Sequence, residues 1–211
     1  MKPESADQMN PWDIPPFPTS GDMKEDTVYA SVGRALSSWE LFECRLSRIF
    51  SGLTGRINGT SAAVRAYGAV TTFRGRADMI KAAAEVYFLE HPHETLPGDL
   101  KALLGRARDY SSRRNEIAHG IVQRATIYSD TRYGYCLFPP DYASNKLNIA
   151  LLHALAVETA LSPRYMYSSA EIGRFEERFC SELIPKADEI LHEIVRTTLL
   201  RYETRRAVRT G

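Results

Sequence analysis

The sequence predicts a mainly α-helical protein that carries one small β-hairpin. Apolar residues recur at helical spacing over most of the 211-residue chain. Glycine, proline and helix-capping residues stand at the ends of these stretches. One stretch, residues 121–138, instead has the short β-branched and aromatic runs that are typical of paired strands. These three observations indicate long helices with a hairpin inserted between the third helix and the last.

The bulk composition indicates a folded chain without a strong overall charge. Hydrophobic residues make up 44% of the sequence, and 27 basic side chains balance 26 acidic ones to a net charge of +1. A site for a polyanion would therefore have to be local. Its three cysteines are far apart and form no Cys-x-x-Cys pair, which is typical of a reducing compartment. No signal peptide or long apolar run is evident, so we expect a cytoplasmic protein with no membrane segment. No metal-ligand cluster or nucleotide-binding motif is evident either, so we expect no metal and no cofactor.

The N-terminus is expected to differ from the rest of the chain. Residues 1–21 are rich in proline and have little apolar periodicity, which predicts an extended arm. We place a single helical domain at residues 22–211. Asp22 and Glu25 resemble a capping pair for the first helix, whose apolar pattern continues to Gly55.

Two further helices and the hairpin follow. A second helical pattern runs from about residue 62 to residue 89, and a third runs from about residue 97 to Gly120. The runs IVQRATIY and YCLF then predict the two strands of the hairpin insert at residues 121–138, with the turn SDTRYG between them.

The C-terminal part begins with a second insert and ends in a long helix. Residues 139–167 are predicted to form a loop with a short helix at 147–161. Ser168 and Glu171 match a capping box, and the helix that they open is expected to kink at Pro185.

The stretch RRNEIAHG, residues 113–120, closes the third helix and contains the candidate site. At roughly 100° per residue, Arg114 falls in line with the apolar residues Leu100 and Ala107, whereas Arg113 falls on the solvent side. Burying an unpaired guanidinium costs several kcal/mol. Arg114 is therefore predicted to meet a carboxylate, a polar cavity or an anionic ligand.

A second stripe of the same helix is polar, largely basic, and ends at a histidine. Asn115 precedes His119 by about one turn, so the Arg114 guanidinium, the amide and the imidazole can converge on one anion. We predict Arg114, His119 and Asn115 as catalytic residues. The members of the stripe lie about 60 to 120° from Leu100 and are Lys101, Arg108, Ser112, Asn115 and His119, of which Lys101, Arg108 and Ser112 are predicted to bind RNA.

These side chains match the requirements of RNA cleavage by an internal hydroxyl. Histidine can take or give a proton near neutral pH, and such acid–base help contributes about 10²–10⁴-fold. Arginine can hold a phosphate and stabilise the charge that develops on it. The same residues also match an ordinary helix end with no function, because basic residues suit the last turn and glycine suits the cap. The inward placement of Arg114 and the asparagine after it favour a site.

The segment RRNEIAHG resembles the hallmark of the HEPN superfamily, R-x(4–6)-H with a polar residue after the arginine. Two long helices precede it, the first carrying SSWELFECRLSRIF, and one follows, so the resemblance covers roughly residues 25–205. It implies a four-helix bundle that pairs as a homodimer with a composite active site. It also implies an endoribonuclease, as in toxins and phage-defence effectors, with an antitoxin protein as a candidate partner. Arg114 and His119 would be catalytic, Asn115 would support them, and the products would be a 2′,3′-cyclic phosphate and a 5′-hydroxyl.

The sequence departs from one HEPN subgroup and leaves another function open. Ile121 stands where members paired with a nucleotidyltransferase antitoxin have a tyrosine, so regulation by AMP transfer is not implied. The alternative is a non-catalytic dimeric module that binds RNA, a nucleotide or a partner protein through the same cleft. His91 and His93 lie in a proline-broken loop that we interpret as solvated surface rather than a metal site. The arginines after residue 195 are interpreted as a solvated helix end rather than as a guide for RNA phosphates.

Overall fold

The computed structural model describes residue 10 and residues 12–54, 61–124, 134–140 and 163–210. Within these ranges the chain is mainly helical, as predicted. The predicted short helix at 147–161 and most of the predicted turn lie outside the described residues. In chain order the elements are α1 (Glu25–Leu53), α2 (Ser61–Ala69), α3 (Phe73–Glu90), α4 (Leu96–His119), β1 (Ile121–Arg124), β2 (Tyr135–Phe138), α5 (Ser169–Arg178), a π-helical segment (Phe179–Leu183) and α6 (Ile184–Thr210).

The chain divides into two compact units, and α1 and α4 each contribute to both. The hairpin unit comprises Met1–Ser37 and Ser112–Glu177, and the helical unit comprises Ser38–Ser111 and Arg178–Gly211. The predicted arm at 1–21 and the predicted single domain at 22–211 stay predictions.

The core of the helical unit is built around Trp39 of α1. Its ring meets the rings of Phe42, Phe73 and Phe179 edge-on, with centroids 5.4–5.6 Å apart. Other side chains buried in this unit extend the apolar face of each helix and include Leu46, Ile49, Ile80, Leu104, Ile190 and Ile194. The 3.6-residue apolar periodicity of the sequence therefore corresponds to real burial.

The predicted second helix is wrong in one respect, because it is broken between Ala69 and Phe73. Thr72 is extended, and its hydroxyl accepts a hydrogen bond from the Gly75 backbone N–H at 3.1 Å, which starts α3 anew. The Arg76 Nε donates to the Val70 carbonyl at 2.8 Å and so satisfies a backbone acceptor at the break. As a result, the hairpin follows the fourth helix rather than the third.

The last long helix begins where the sequence predicts, and it is irregular just before Pro185, where a kink is predicted. The Ser168 backbone N–H donates to Glu171 Oε2 at 2.8 Å, and the Ala170 N–H donates to Ser168 Oγ at 3.2 Å, which confirms the capping box. Pro185 has no N–H to donate and its ring excludes the carbonyl four residues earlier. A π-helical turn immediately precedes this proline and absorbs the defect, with the Ile184 N–H bonded to the Phe179 carbonyl.

The two strands form the predicted antiparallel hairpin, with Ile121 opposite Phe138 and Arg124 opposite Tyr135. The outer edge of β2 is also paired. Tyr135 exchanges two backbone hydrogen bonds with Asp22 at 2.7 and 2.9 Å, and residue 137 exchanges two with Tyr167 at 2.8 and 3.0 Å. The strand β2 therefore has partners on both sides.

Asp22 does not act as the predicted cap of α1. Its carboxylate accepts hydrogen bonds from the backbone N–H and the hydroxyl of Ser169, at 2.8 and 2.6 Å, and so caps α5 instead. The sequence separation of 147 residues between the partners explains why a local pattern could not reveal this cap.

Replacing Gly134 by alanine is expected to disrupt the pairing of Asp22 with Tyr135. A Cβ at residue 134 would lie 2.7 Å from the carbonyl carbon of Asp22, and a backbone carbonyl cannot move aside cheaply. Such overpacking typically costs about 1–3 kcal/mol of unfolding free energy, measurable by urea unfolding. The matched control is Gly33→Ala, because a Cβ at Gly33 meets nothing within 4 Å. Equal unfolding free energies for Gly134→Ala and the wild type would contradict this account.

Candidate functional site

The candidate site lies on the last two turns of α4, where the buried face of the helix differs from the predicted one. Arg113 is buried, with 6% of its surface exposed, whereas Arg114 is half-buried. The prediction that Arg113 faces solvent and Arg114 faces the core is therefore wrong for Arg113 and only partly right for Arg114.

The physical reason is a drift of the buried stripe along α4. Leu103, Tyr110 and Ile117 are all buried and are seven residues apart. On a straight helix, two side chains seven residues apart point about 20° apart around the helix axis, and two side chains fourteen residues apart point about 40° apart. An angle counted from Leu100 therefore misplaces the end of the helix, and the core side at residues 113–117 passes through Arg113.

Arg113 is held by a buried polar network. Its Nη1 lies 2.8 Å from Glu116 Oε2 and donates to the Tyr167 hydroxyl at 3.1 Å. The Tyr167 hydroxyl donates to the same carboxylate oxygen at 2.6 Å. Burial, and next the hydrogen bond to Glu116, raise the pKa of Tyr167 well above its usual range, so the phenol stays protonated. All these contacts of the guanidinium are made by Nη1, whereas the buried Nε of Arg113 has no hydrogen-bond partner among the described residues.

Two further residues tie the same helical turn to the segment before α5. The Tyr165 hydroxyl donates to the Glu116 backbone carbonyl at 3.0 Å, and Arg164 Nη2 lies 3.6 Å from Glu116 Oε1. The rings of Tyr165 and Tyr167 stack with centroids 4.9 Å apart. The end of α4 is thus fixed in orientation, and with it the face that carries the predicted catalytic residues.

The predicted catalytic residues lie on the outer side of this fixed turn. Arg114 Nη1 donates to Asn115 Oδ1 at 3.2 Å. Asn115 and His119 are both exposed and stand one helical turn apart, with His119 the last residue of α4. The amide nitrogen of Asn115 carries two N–H donors, and the hydrogen bond from Arg114 does not use them. Arg114 and Asn115 together form a donor group that suits an anionic oxygen, next to an accessible imidazole.

The predicted polar stripe is exposed along its whole length, since Lys101, Arg108, Ser112, Asn115 and His119 are all exposed. Its members belong to two different surroundings. Ser112, Asn115 and His119 lie in the hairpin unit. Lys101 and Arg108 lie in the helical unit, where they line a groove of about 560 Å³ between α3 and α4. Their predicted contact with RNA stays a prediction.

Sequence reasoning missed Glu116 and Tyr167, which hold Arg113. Part of the signal was available, because the letters RRNE place Arg113 and Glu116 three residues apart on a helix, a spacing at which opposite charges meet. Tyr167 is 51 residues from Glu116, and nothing local points to it.

His91 and His93, considered above as metal ligands, instead make contacts within the helical unit. The His93 ring accepts the backbone N–H groups of Thr95 and Leu96 through Nδ1, at 3.3 and 3.1 Å, at the start of α4. The His91 ring stacks on Tyr87 at 4.2 Å. Within the described ranges, no group of three or more His, Cys, Asp or Glu side chains is arranged to hold a metal ion. Burial raises the pKa of the Cys136 thiol to about 11, which makes it a poor nucleophile.

Arg196 pairs with Glu193 at 2.8 Å, one turn earlier on the same helix, and the side chains of the later arginines lie outside the described residues.

None of the helices in the part of the chain that the structure covers has the length and apolar character needed to span a bilayer.

Comparison with known proteins finds no matching family model, no curated relative and no similar solved structure. The HEPN assignment therefore rests on the resemblance of the motif and the helix order, and it stays a proposal.

Proposed function

We propose that this protein is a metal-independent endoribonuclease of HEPN type that acts in the cytoplasm as a homodimer, in the manner of a toxin or phage-defence effector. The observation that carries the proposal is the arrangement at the end of α4. The Arg114 guanidinium contacts the Asn115 amide, and His119 is exposed one turn further along. Imidazole can transfer the protons in in-line cleavage of a phosphodiester, and a guanidinium can stabilise the charge on the phosphate.

Each residue has a defined role in the proposed reaction. The 2′-oxygen of the RNA attacks the phosphorus, and the bond between phosphorus and the 5′-oxygen breaks. A histidine takes the proton from the 2′-hydroxyl, and a second histidine gives a proton to the departing 5′-oxygen. Arg114 donates to the phosphate oxygens as their charge increases, and Asn115 supports it. The products are a 2′,3′-cyclic phosphate and a 5′-hydroxyl.

The proposed reaction explains why the active form would be a dimer. One chain offers one His119, whereas simultaneous removal and delivery of a proton needs two groups. A second copy supplies the second imidazole if the two motifs face each other across a two-fold axis, which makes both contributions equivalent. The wild-type protein should therefore sediment as a dimer at micromolar concentration. Sedimentation as a monomer under conditions in which RNA is cleaved would contradict the composite site.

The test is cleavage of end-labelled RNA in buffer containing EDTA. We expect His119→Ala and Arg114→Ala to lower the cleavage rate by about 10²-fold or more, because acid–base help and charge stabilisation each contribute at least that much. The matched controls are His192→Ala and Arg48→Ala, which remove an exposed histidine and an exposed arginine elsewhere. Equal cleavage by the wild type and all four variants would exclude the nuclease.

A non-catalytic binding module stays the second candidate, and one observation favours it. Lys101 and Arg108, predicted to bind RNA, line a largely apolar groove rather than an open polar surface. Such a groove suits a partner with an apolar face better than it suits a phosphate chain.

A further inference from the structure

The groove of the helical unit runs between α3 and α4, and its volume is about 560 Å³. The lining is mostly apolar and includes two half-buried aromatic rings. The small side chains of Ala77 and Ala84 leave room for the groove on α3, and two buried leucines of α4 form its opposite wall. The apolar lining residues are Phe73, Ala77, Ala84, Phe88, Leu100 and Leu104.

The groove is long relative to its volume. Its lining extends from Phe73 to Phe88 on α3 and from Pro97 to Arg108 on α4. At 1.5 Å per residue these stretches span about 22 and 16 Å, which corresponds to three or four helical turns. An occupant that fills it must therefore be extended in one direction.

The charges along the two rims differ. On the α3 rim, Asp78 lies 3.9 Å from Arg74 and 3.5 Å from Lys81. Glu85 also lines this rim, so its two cations and two carboxylates leave no net charge. On the α4 rim, Lys101 and Arg108 are exposed, and neither forms an ion pair with any residue in the described ranges. Seven residues separate the two cations, or about 10.5 Å along the helix. They form a positive edge parallel to the groove.

We propose that this groove binds an amphipathic α-helix of a partner protein. A row of apolar side chains on that helix would enter the groove, and acidic residues two turns apart on its edge would face Lys101 and Arg108. Helices recognised in this way present anchors at positions such as i, i+3, i+4 and i+7. A further anchor at i+11 extends the row to about 16 Å, which matches the α4 side of the groove. The spacing of the two cations also equals the spacing of acidic residues at i and i+7 on the bound helix.

Two other occupants fit less well. A fatty acid has a single anionic head, which calls for cations at one end of a pocket, whereas Lys101 and Arg108 are spread along its edge. A single strand of RNA would have to place solvated phosphates beside a wall of leucine, alanine and phenylalanine, with no aromatic face fully exposed for stacking. The distribution of charge and apolar surface therefore favours an acidic amphipathic helix.

The first test compares two designed fluorescent peptides by anisotropy. Each has roughly 16 residues with leucines at i, i+4, i+7 and i+11, and they differ only in carrying glutamate or lysine along one edge. We expect the wild-type protein to bind the acidic peptide at least about 10-fold more tightly than the basic one. Lys101→Glu combined with Arg108→Glu should reverse this preference. The control Arg48→Glu, which reverses an exposed charge on α1, should leave it unchanged.

The second test fills the groove. Gly105 lies between the two cations and lines the groove, and a Cβ there meets nothing within 4 Å. Gly105→Leu should therefore fold normally and weaken binding of the acidic peptide at least about 10-fold by occupying its place. Gly33→Leu is the matched control, because Gly33 is also helical, exposed and without neighbours around its Cβ.

Several outcomes would overturn the proposal. These are equal binding of the two peptides, or no effect of Gly105→Leu. Displacement of the acidic peptide by dodecanoate or by a 12-nucleotide RNA of roughly the groove's length would assign the groove to those ligands instead. A change of sedimentation in Gly105→Leu would show that a second copy of the chain occupies it. RNA cleavage is measured separately, so failure of the nuclease proposal and failure of the groove proposal are distinguishable.

Discussion

Glu43→Ala is expected to lower the free energy of unfolding by about 3–5 kcal/mol, measured by urea unfolding. Glu43 is only 5% exposed, and its carboxylate lies 3.2 Å from Arg76 Nη1. The Tyr67 hydroxyl donates a short hydrogen bond to the same oxygen. One carboxylate thus connects α1, α2 and α3. Its removal leaves a mostly buried guanidinium and a buried phenol without their main partner, and that loss is larger than the net contribution of the ion pair.

Glu43, Arg76 and Tyr67 form what we call the Glu43 cluster. A double variant separates the effect of its charges on stability from the effect of its packing. Glu43→Leu combined with Arg76→Leu removes both charges and should cost less than either single substitution, because no buried charge is left uncompensated. Glu177→Ala is the control, since this exposed glutamate forms no ion pair with a described residue and should change the unfolding free energy by less than about 0.5 kcal/mol. A loss below about 1 kcal/mol in Glu43→Ala would refute the account of a buried charge cluster.

Local sequence signals were sufficient for much of the fold. The capping box at Ser168 and Glu171 forms as its spacing requires, because both partners lie within one helical turn. The hairpin pairs residues 121–124 of the first predicted strand with the predicted second strand, because turn signals and the closing prolines act over a few residues, and 125–128 lie outside the described residues. The α4 boundary at Gly120 is likewise marked by the sequence itself.

Features that depend on distant partners could not be predicted in the same way. The Glu43 cluster joins three helices, and each of its residues taken alone resembles an ordinary surface residue of an amphipathic helix. The break before α3 had a weaker local signal, because β-branched residues occupy 70–72 and a threonine there can cap. Continuous apolar spacing across the break outweighed that signal.

The catalytic and RNA-binding roles of the α4 stripe stay predictions. The angular calculation did separate this polar stripe from the core face, and all five of its residues from Lys101 to His119 are exposed, because exposure tolerates an angular error of some tens of degrees. Arg113 was assigned to the wrong side, because a buried seven-residue repeat rotates the core face along a helix of 24 residues. Angles measured from one end of a long helix therefore locate its exposed face better than the border of its core.

Arg113→Met is expected to lower the stability of the protein. Arg114→Met is expected to lower RNA cleavage and to change stability little. Arg113→Met should lower the unfolding free energy by about 3–5 kcal/mol, because it leaves the Glu116 carboxylate, 10% exposed, without its nearest cation. Arg114→Met should change stability less than Arg113→Met does, because Arg114 is only half-buried and its contact with Asn115 is exposed. Urea unfolding measures the first property, and cleavage of labelled RNA measures the second.

Arg113→Lys is the control that separates charge from packing. Both contacts of Arg113, to Glu116 and to Tyr167, are made by the single atom Nη1, so an ammonium group can replace part of them. Lysine should therefore recover part of the lost stability, whereas methionine should not. Similar losses of stability in Arg113→Met and Arg114→Met would contradict the burial of Arg113. If Arg114→Met loses cleavage while keeping its stability, Arg114 acts on the RNA, because a purely structural arginine would lose both properties together.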